Sequence, residues 1–197
     1  KTHLNQSGVL ISYDEQSRVS EKSYYLDYKY AGNQLQNNEL YYSYAYDDVT
    51  GNLSVMTIGG SELGYVRPLY DAFGRTKQRY VMLDDGTGAF YNVINYTYQK
   101  VSGSESTFVS QMESIIKETA SSTQTLSHNI WKYAYDDNGN ITQITDASGV
   151  IQNKYYYDAL GQLIREDNRA LGYSYTYSYD NAGNIISKKR YAFTTGT

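Results

Sequence analysis

Cysteine is absent from the 197 residues, which removes disulfides and thiolate metal sites together. Histidine occurs only as His3 and His128. Neither has a Cys, Asp or Glu near it at ligand spacing, so no metal site is expected. Proline occurs once, as Pro68. No apolar run approaches the roughly 18 residues of a membrane-spanning helix. Positive charge is scarce: 17 Lys and Arg against 21 Asp and Glu give a net charge of -4. The one basic cluster, Lys188-Lys189-Arg190, is too small for the several phosphate contacts that nucleic-acid binding needs. There is no Gly-x-Ser-x-Gly elbow and no phosphate-cradling glycine loop leading into a helix. With no catalytic constellation the expectation is a protein that is not an enzyme and carries no cofactor. The sequence opens at Lys1 without a signal-peptide pattern, which suggests a piece of something longer.

Tyrosine is what the chain has in excess, 25 residues against one Trp and four Phe, with 16 glycines beside it. The tyrosines recur in order. Tyr135-Asp136-Asp137-Asn138-Gly139-Asn140-Ile141, Tyr157-Asp158-Ala159-Leu160-Gly161-Gln162-Leu163 and Tyr179-Asp180-Asn181-Ala182-Gly183-Asn184-Ile185 repeat with a period of 22 residues, the mark of a repeat architecture. Tyr173, Tyr175, Tyr177 and Tyr179 are spaced by two, as are Trp131, Tyr133 and Tyr135, and also Tyr155 and Tyr157. Alternation of this kind belongs to a strand with its rings on one face. Asp followed by Gly three residues later is a turn with a mechanism: the carboxylate accepts nearby backbone N–H groups, and glycine takes the positive φ at the fourth position. Each unit therefore reads as a β-hairpin, and hairpins that are marginal alone gain stability by stacking on their neighbours.

Four copies precede these three, and three of the four are altered. Tyr13-Asp14 loses the glycine to Ser17. Tyr28 to Leu35 has Lys29 in place of the acid and keeps Gly32-Asn33. Tyr46-Asp47-Asp48-Val49-Thr50-Gly51 carries one extra turn residue, and Tyr70-Asp71-Ala72-Phe73-Gly74 is intact. Asp84-Asp85-Gly86 reads as a further hairpin turn. The expected turn residues are thus Tyr46, Asp47, Gly51, Tyr70, Asp71, Gly74, Tyr135, Asp136, Gly139, Tyr157, Asp158, Gly161, Tyr179, Asp180 and Gly183. Asp136-Asp137-Asn138-Gly139 also looks like the start of a calcium loop, but the twelfth position falls on Ala147 or Ser148, where a bidentate Glu is required. Between Tyr98 and Ile130 the alternation stops. Phe108, Val109, Met112, Ile115 and Ile116 then follow helical spacing, and Ser104 or Ser106 suits a cap. An inserted α-helix near 104–122 is expected. It divides a single array into irregular repeats at 1–99, a helical insert with linker at 100–129, and three regular repeats at 130–197.

The Tyr-Asp-x-x-Gly-Asn-Ile unit at this spacing resembles the YD repeats of the Rhs/YD-repeat family. That family includes bacterial polymorphic toxins of the Rhs and wall-associated types, the C component of insecticidal toxin complexes, and animal teneurins. The resemblance implies a mainly β fold of stacked antiparallel hairpins in a curved or spiralling sheet. It further implies a shell segment that encloses or displays a C-terminal toxin domain of a larger secreted or cell-surface protein, bacterial in origin. Its expected partners are neighbouring repeats and that enclosed domain. The Asp-Pro-x-Gly core that follows the repeats in many relatives has no counterpart here, so self-cleavage is not carried over. Two expectations come from the residues themselves. The tyrosine rings are expected to be structural, pairing with each other across strands, and the alternative is a glycan-binding or adhesive face at Tyr173, Tyr175 and Tyr177, because rings stack on sugars and anchor interfaces. Unpaired strand edges suit self-association.

Overall fold

A computed structural model describes the backbone of residues 8–31, 34–59, 63–84 and 88–193, and the side chains of 9–24, 40–59, 63–84 and 88–193. Fourteen strands are present among the described residues. They are β1 (Gly8–Tyr13), β2 (Val19–Ala31), β3 (Gln34–Tyr46), β4 (Leu53–Ile58), β5 (Gly64–Tyr70), β6 (Thr76–Asp84) and β7 (Ala89–Val101). The others are β8 (Ser104–Lys117), β9 (Ser127–Tyr135), β10 (Ile141–Thr145), β11 (Ile151–Tyr157), β12 (Leu163–Asn168), β13 (Tyr173–Tyr179) and β14 (Ile185–Ala192). Their order in the sheet is their order in the sequence, and the neighbouring strands pair antiparallel, as local hairpin closure dictates. Contacts group the chain into two units, Lys1–Asn95 with Ile115–Ser127 and Tyr96–Ser114 with His128–Thr197.

In the first unit the hairpins bend at residues 14–18, 47–52 and 71–75, each followed by a register shift where the returning strand begins. The Tyr28 copy lies where β2 turns back into β3, Ala31 opposite Gln34; its Gly32 and Asn33 are outside the described residues. β6 and β7 close with Asp84 opposite Ala89, and Asp85 and Gly86 are likewise outside. In the second unit the bends at 136–140, 158–162 and 180–184 repeat the same register shift, at Ile141, Tyr157 and Tyr179.

The expected helix near 104–122 is not formed: Ser104–Lys117 is a strand of 14 residues. Its apolar residues fit both periods. Phe108, Met112 and Ile116 fall on one strand face, Val109 and Ile115 on the other, and both faces are half-buried, which blurs the alternation. The preceding Ser102-Gly103 decides the matter. Both residues have positive φ, 52° and 81°, the type I′ geometry that joins two strands tightly.

No hydrophobic side chain among the described residues is fully buried; the buried polar ones are Ser23, Ser114, Asp167 and Ser174. Half-covered aromatic rings on the sheet stand in for a core. Tyrosine suits that position because its ring buries apolar area while its hydroxyl stays near polar partners.

Candidate interaction surface

The bends share one construction. In the second unit the N–H of Asp136, Asp158 and Asp180 donates to the carbonyl four residues on, at 3.0 Å in each case. The glycine N–H donates back to the aspartate carbonyl, also at 3.0 Å. The carboxylate then holds the loop from inside: Asp180 Oδ1 accepts from the N–H of Ala182 and Asn184, both at 2.9 Å. Gly139, Gly161 and Gly183 have φ of 84°, 76° and 83°, the left-handed region that glycine enters without strain. Glycine at 139 has a second reason. A Cβ there would lie 3.0 Å from the Phe108 ring.

The residue after the fourth turn position, a glycine or Ser17, completes the carboxylate's partners. Arg18 and Arg75 donate from Nε to Asp14 and Asp71 at 2.7 Å, and Asn140 and Asn184 donate from Nδ2 to Asp136 and Asp180 at 3.0 Å. These bonds favour the ionised form. The Asn140 and Asn184 amides hold the Asp136 and Asp180 carboxyls below the usual value, with backbone N–H groups adding to the effect. At Asp14 and Asp71 partial burial opposes ionisation, and the arginine bonds outweigh it. A calcium-type role for Asp136 has donors where it would need a cation. A bend that the tyrosine pattern did not reveal, Asp146-Ala147-Ser148-Gly149, has the same geometry. It is preceded by Thr145, so Asp and Gly alone make the turn.

The tyrosine does something else. Tyr46, Tyr70, Tyr157 and Tyr179 donate their hydroxyls to the carbonyls of Val19, Leu53, Ile141 and Leu163, at 2.8 to 3.1 Å. Each acceptor is the first residue of the preceding hairpin's return strand. The ladder there has already ended: β10 and β11 pair no further than Gln143 opposite Lys154, and β12 and β13 no further than Arg165 opposite Thr176. The hydroxyl thus supplies a bond where the backbones have separated, latching one hairpin to the one before. Tyr135 makes a related bond to the Val109 carbonyl at 2.8 Å, its ring centroid 5.0 Å from that of Phe108.

Tyr173, Tyr175 and Tyr177 lie along β13, with Tyr173 the most exposed at 38%. Across the register Tyr175 faces Arg190 on one side and Glu166 on the other. Lys188 Nζ lies 4.4 Å from the Tyr175 ring centroid and 5.3 Å from that of Tyr177, and Arg190 lies 4.4 Å from that of Tyr173. Tyr177 donates to Glu166 at 3.3 Å. A sugar stacking on these rings would have to displace the cations already on them. His3 lies outside the described residues. His128 meets Glu113 at 2.8 Å, a cross-strand pairing that the 15-residue separation hid in the sequence.

The model of the RHS repeat matches residues 117–151 and 157–195. No curated protein sequence matches the chain. Among solved structures, the crystal structure of TcdB2-TccC3 aligns with 92% of this chain at a TM-score of 0.47 and 18% identity, and the chain spans 11% of that molecule. A porin-like protein from Bacteroides uniformis aligns over 93% of this chain and 88% of its own at a TM-score of 0.31 and 9% identity.

Proposed function

We propose that the chain, whose residues 117–151 and 157–195 match the RHS repeat, is a non-catalytic wall segment of a larger shell built from such repeats. In this reading the parent protein is secreted or surface-borne, and the wall encloses or displays its C-terminal domain. The observation that carries the reading is the hydroxyl latch, which ties hairpin to hairpin at four successive-hairpin junctions. A sheet extended by adding identical ties is suited to walls, because each unit is stabilised by its neighbours and needs no separate core. The test uses the full-length parent. Protease should leave its C-terminal domain intact, and Tyr157→Phe with Tyr179→Phe should expose it. Equal cleavage of parent and variant, or a C-terminal domain cut freely in both, defeats the proposal.

Adhesion through Tyr173, Tyr175 and Tyr177 is the rival reading. Glycan-array binding lost in Tyr175→Ala with an unchanged melting curve would favour it. Association between copies is also expected. Val9, Leu10 and Ile11 of β1 are 39 to 54% exposed, and that strand has no charged residue, whereas β14 carries Lys188, Lys189 and Arg190. Apolar uncharged edges recruit other strands and lysine-bearing edges resist them. Leu10→Lys should therefore reduce association seen by light scattering more than Lys189→Ala does.

A further inference from the structure

The regular repeats carry their tyrosines on one side of the sheet, and the register fixes what stands on the other. Ala134, Gln143, Lys154, Asp167, Ser174 and Tyr191 follow one another across β9 to β14, and residues opposite each other in register share a face. Tyr156, Arg165, Thr176 and Lys189 form the neighbouring row on that face. Lys132, opposite Thr145 and two residues before Ala134, belongs to it as well. Tyr155, Glu166, Tyr175 and Arg190 are on the reverse, the tyrosine side.

Cations collect on the face away from the tyrosines. Lys132 and Lys189 are exposed, Lys154 is half-buried, and none of the three forms an ion pair among the described residues. Arg165 joins them and donates from Nε to Asp167 at 2.8 Å. Asp167 is the one acid in the two rows and is 3% exposed, so its charge answers Arg165 and leaves the lysines uncompensated. Asp146, just past the end of β10, is bonded into its own bend by the N–H groups of Ser148 and Val150 and by Gln152. Lys154 and Arg165 are also held in place, 5.3 and 5.4 Å from the centroid of the same Tyr156 ring. Three unpaired lysines thus share one face of a chain whose net charge is -4. Neighbouring like charges sum to a potential that draws an anion.

What lies between the cations decides the kind of anion. Ala134, Gln143, Ser174 and Thr176 are uncharged and mostly short, which leaves a low polar floor. A bilayer would need apolar side chains able to enter it, and this floor has none. Single-stranded nucleic acid would need open rings for its bases; of the two rings on the face, Tyr156 already carries two cations, which leaves Tyr191 alone. An extended polypeptide lies flat on such a floor and brings carboxylates on short stems. From β9 to β14 the sheet advances five strand spacings of about 4.8 Å, roughly 24 Å, the length of roughly seven extended residues. We propose that this face of β9–β14 docks an extended acidic polypeptide segment whose carboxylates meet Lys132, Lys154 and Lys189. The site stands apart from the shell role: either can fail without the other.

The test is fluorescence anisotropy on the intact chain with a labelled peptide of alternating Glu and Ser, about eight residues long. A Lys-Ser peptide, oligothymidylate of similar length and phosphatidylserine vesicles serve as contrasting probes. The Glu-Ser peptide should bind saturably and lose affinity as salt rises. Lys132→Gln, Lys154→Gln and Lys189→Gln together should weaken it by about tenfold or more with an unchanged melt. Lys188→Gln, which removes a cation from the tyrosine side, should change it by less than about twofold. Should the triple variant not fold, Lys132→Gln and Lys189→Gln, both at exposed positions, should each weaken binding singly. Absence of saturation, unchanged affinity in these variants, or an equal loss with Lys188→Gln overturns the assignment. Equal or tighter binding of the Lys-Ser peptide, the oligothymidylate or the vesicles overturns it too.

Discussion

Asp180 shows why an acid opens each bend. Its carboxylate accepts two backbone N–H bonds and the Asn184 amide, so the charged form is stabilised in the folded chain. Asp14, Asp47, Asp71, Asp136 and Asp146 are held below the usual value in the same direction. A carboxyl whose value is lower folded than unfolded contributes stability above the unfolded value, near 3.9, and loses it as the pH falls through the folded one. Melting temperature should accordingly be flat from neutrality down to about pH 5 and fall below about pH 4. Asp180→Asn, which keeps an acceptor but cannot titrate, should lessen the acid-side fall in proportion to its one site. Glycine gives the second residue-scale prediction. Gly161→Ala places a Cβ in open space but in left-handed backbone, costing about 1–2 kcal/mol. Gly139→Ala carries the same strain and must also move Phe108, so urea titration should rank it as the more destabilised of the two.

At the level of the element, the latch makes a distinct prediction. Tyr157→Phe keeps the ring and removes only the bond to the Ile141 carbonyl, which should cost about 1 kcal/mol. The loss should appear as faster amide exchange in β10 and β11 while the 180–184 bend is unchanged; uniform acceleration across the second unit would mean the hydroxyl is not a local tie. Much of this element structure was legible in the residues. Tyr-Asp-x-x-Gly located the bends at 71–75, 136–140, 158–162 and 180–184, and its form with one extra residue the bend at 47–52, because the carboxylate and the glycine are both identity-specific demands. The bend at Asp146 was not, since it lacks the tyrosine that marks the repeat and that the turn itself does not need. β8 was misread because Phe108, Val109, Met112, Ile115 and Ile116 satisfy a helical stripe as well as a strand half-buried on both faces. The latch was invisible for a different reason. Its acceptor is a backbone carbonyl, which any residue provides, so Val19, Leu53, Ile141 and Leu163 carry no common signature beyond being aliphatic. Pro68 was visible as the single proline, but the β4–β5 ladder that stops at Met56 opposite Val66, two residues short of it, was not.

Over the molecule as a whole, stability falls to tyrosine rings, since no aliphatic side chain among the described residues is fully buried. Burial raises the Tyr133, Tyr135, Tyr155, Tyr157 and Tyr177 phenols above their ordinary value. A phenol whose value is raised on folding contributes stability below the unfolded value, near 10, and loses it as the pH climbs through the folded one. Alkali is therefore expected to unfold this protein through its rings, in contrast to one held by leucine and valine. Between about pH 10 and 12 the circular dichroism of the sheet should collapse together with the rise of phenolate absorbance. The Tyr157 latch hydroxyl is a donor, and deprotonation turns it into an anion facing the Ile141 carbonyl oxygen, so loss of a bond becomes repulsion. Replacing Tyr157 by Phe removes that ionisable latch. That variant should start less stable at neutral pH yet show a shallower alkaline fall than the parent. If instead phenolate absorbance rises fully while the sheet signal holds, the rings and their hydroxyls are not what keeps the hairpins together.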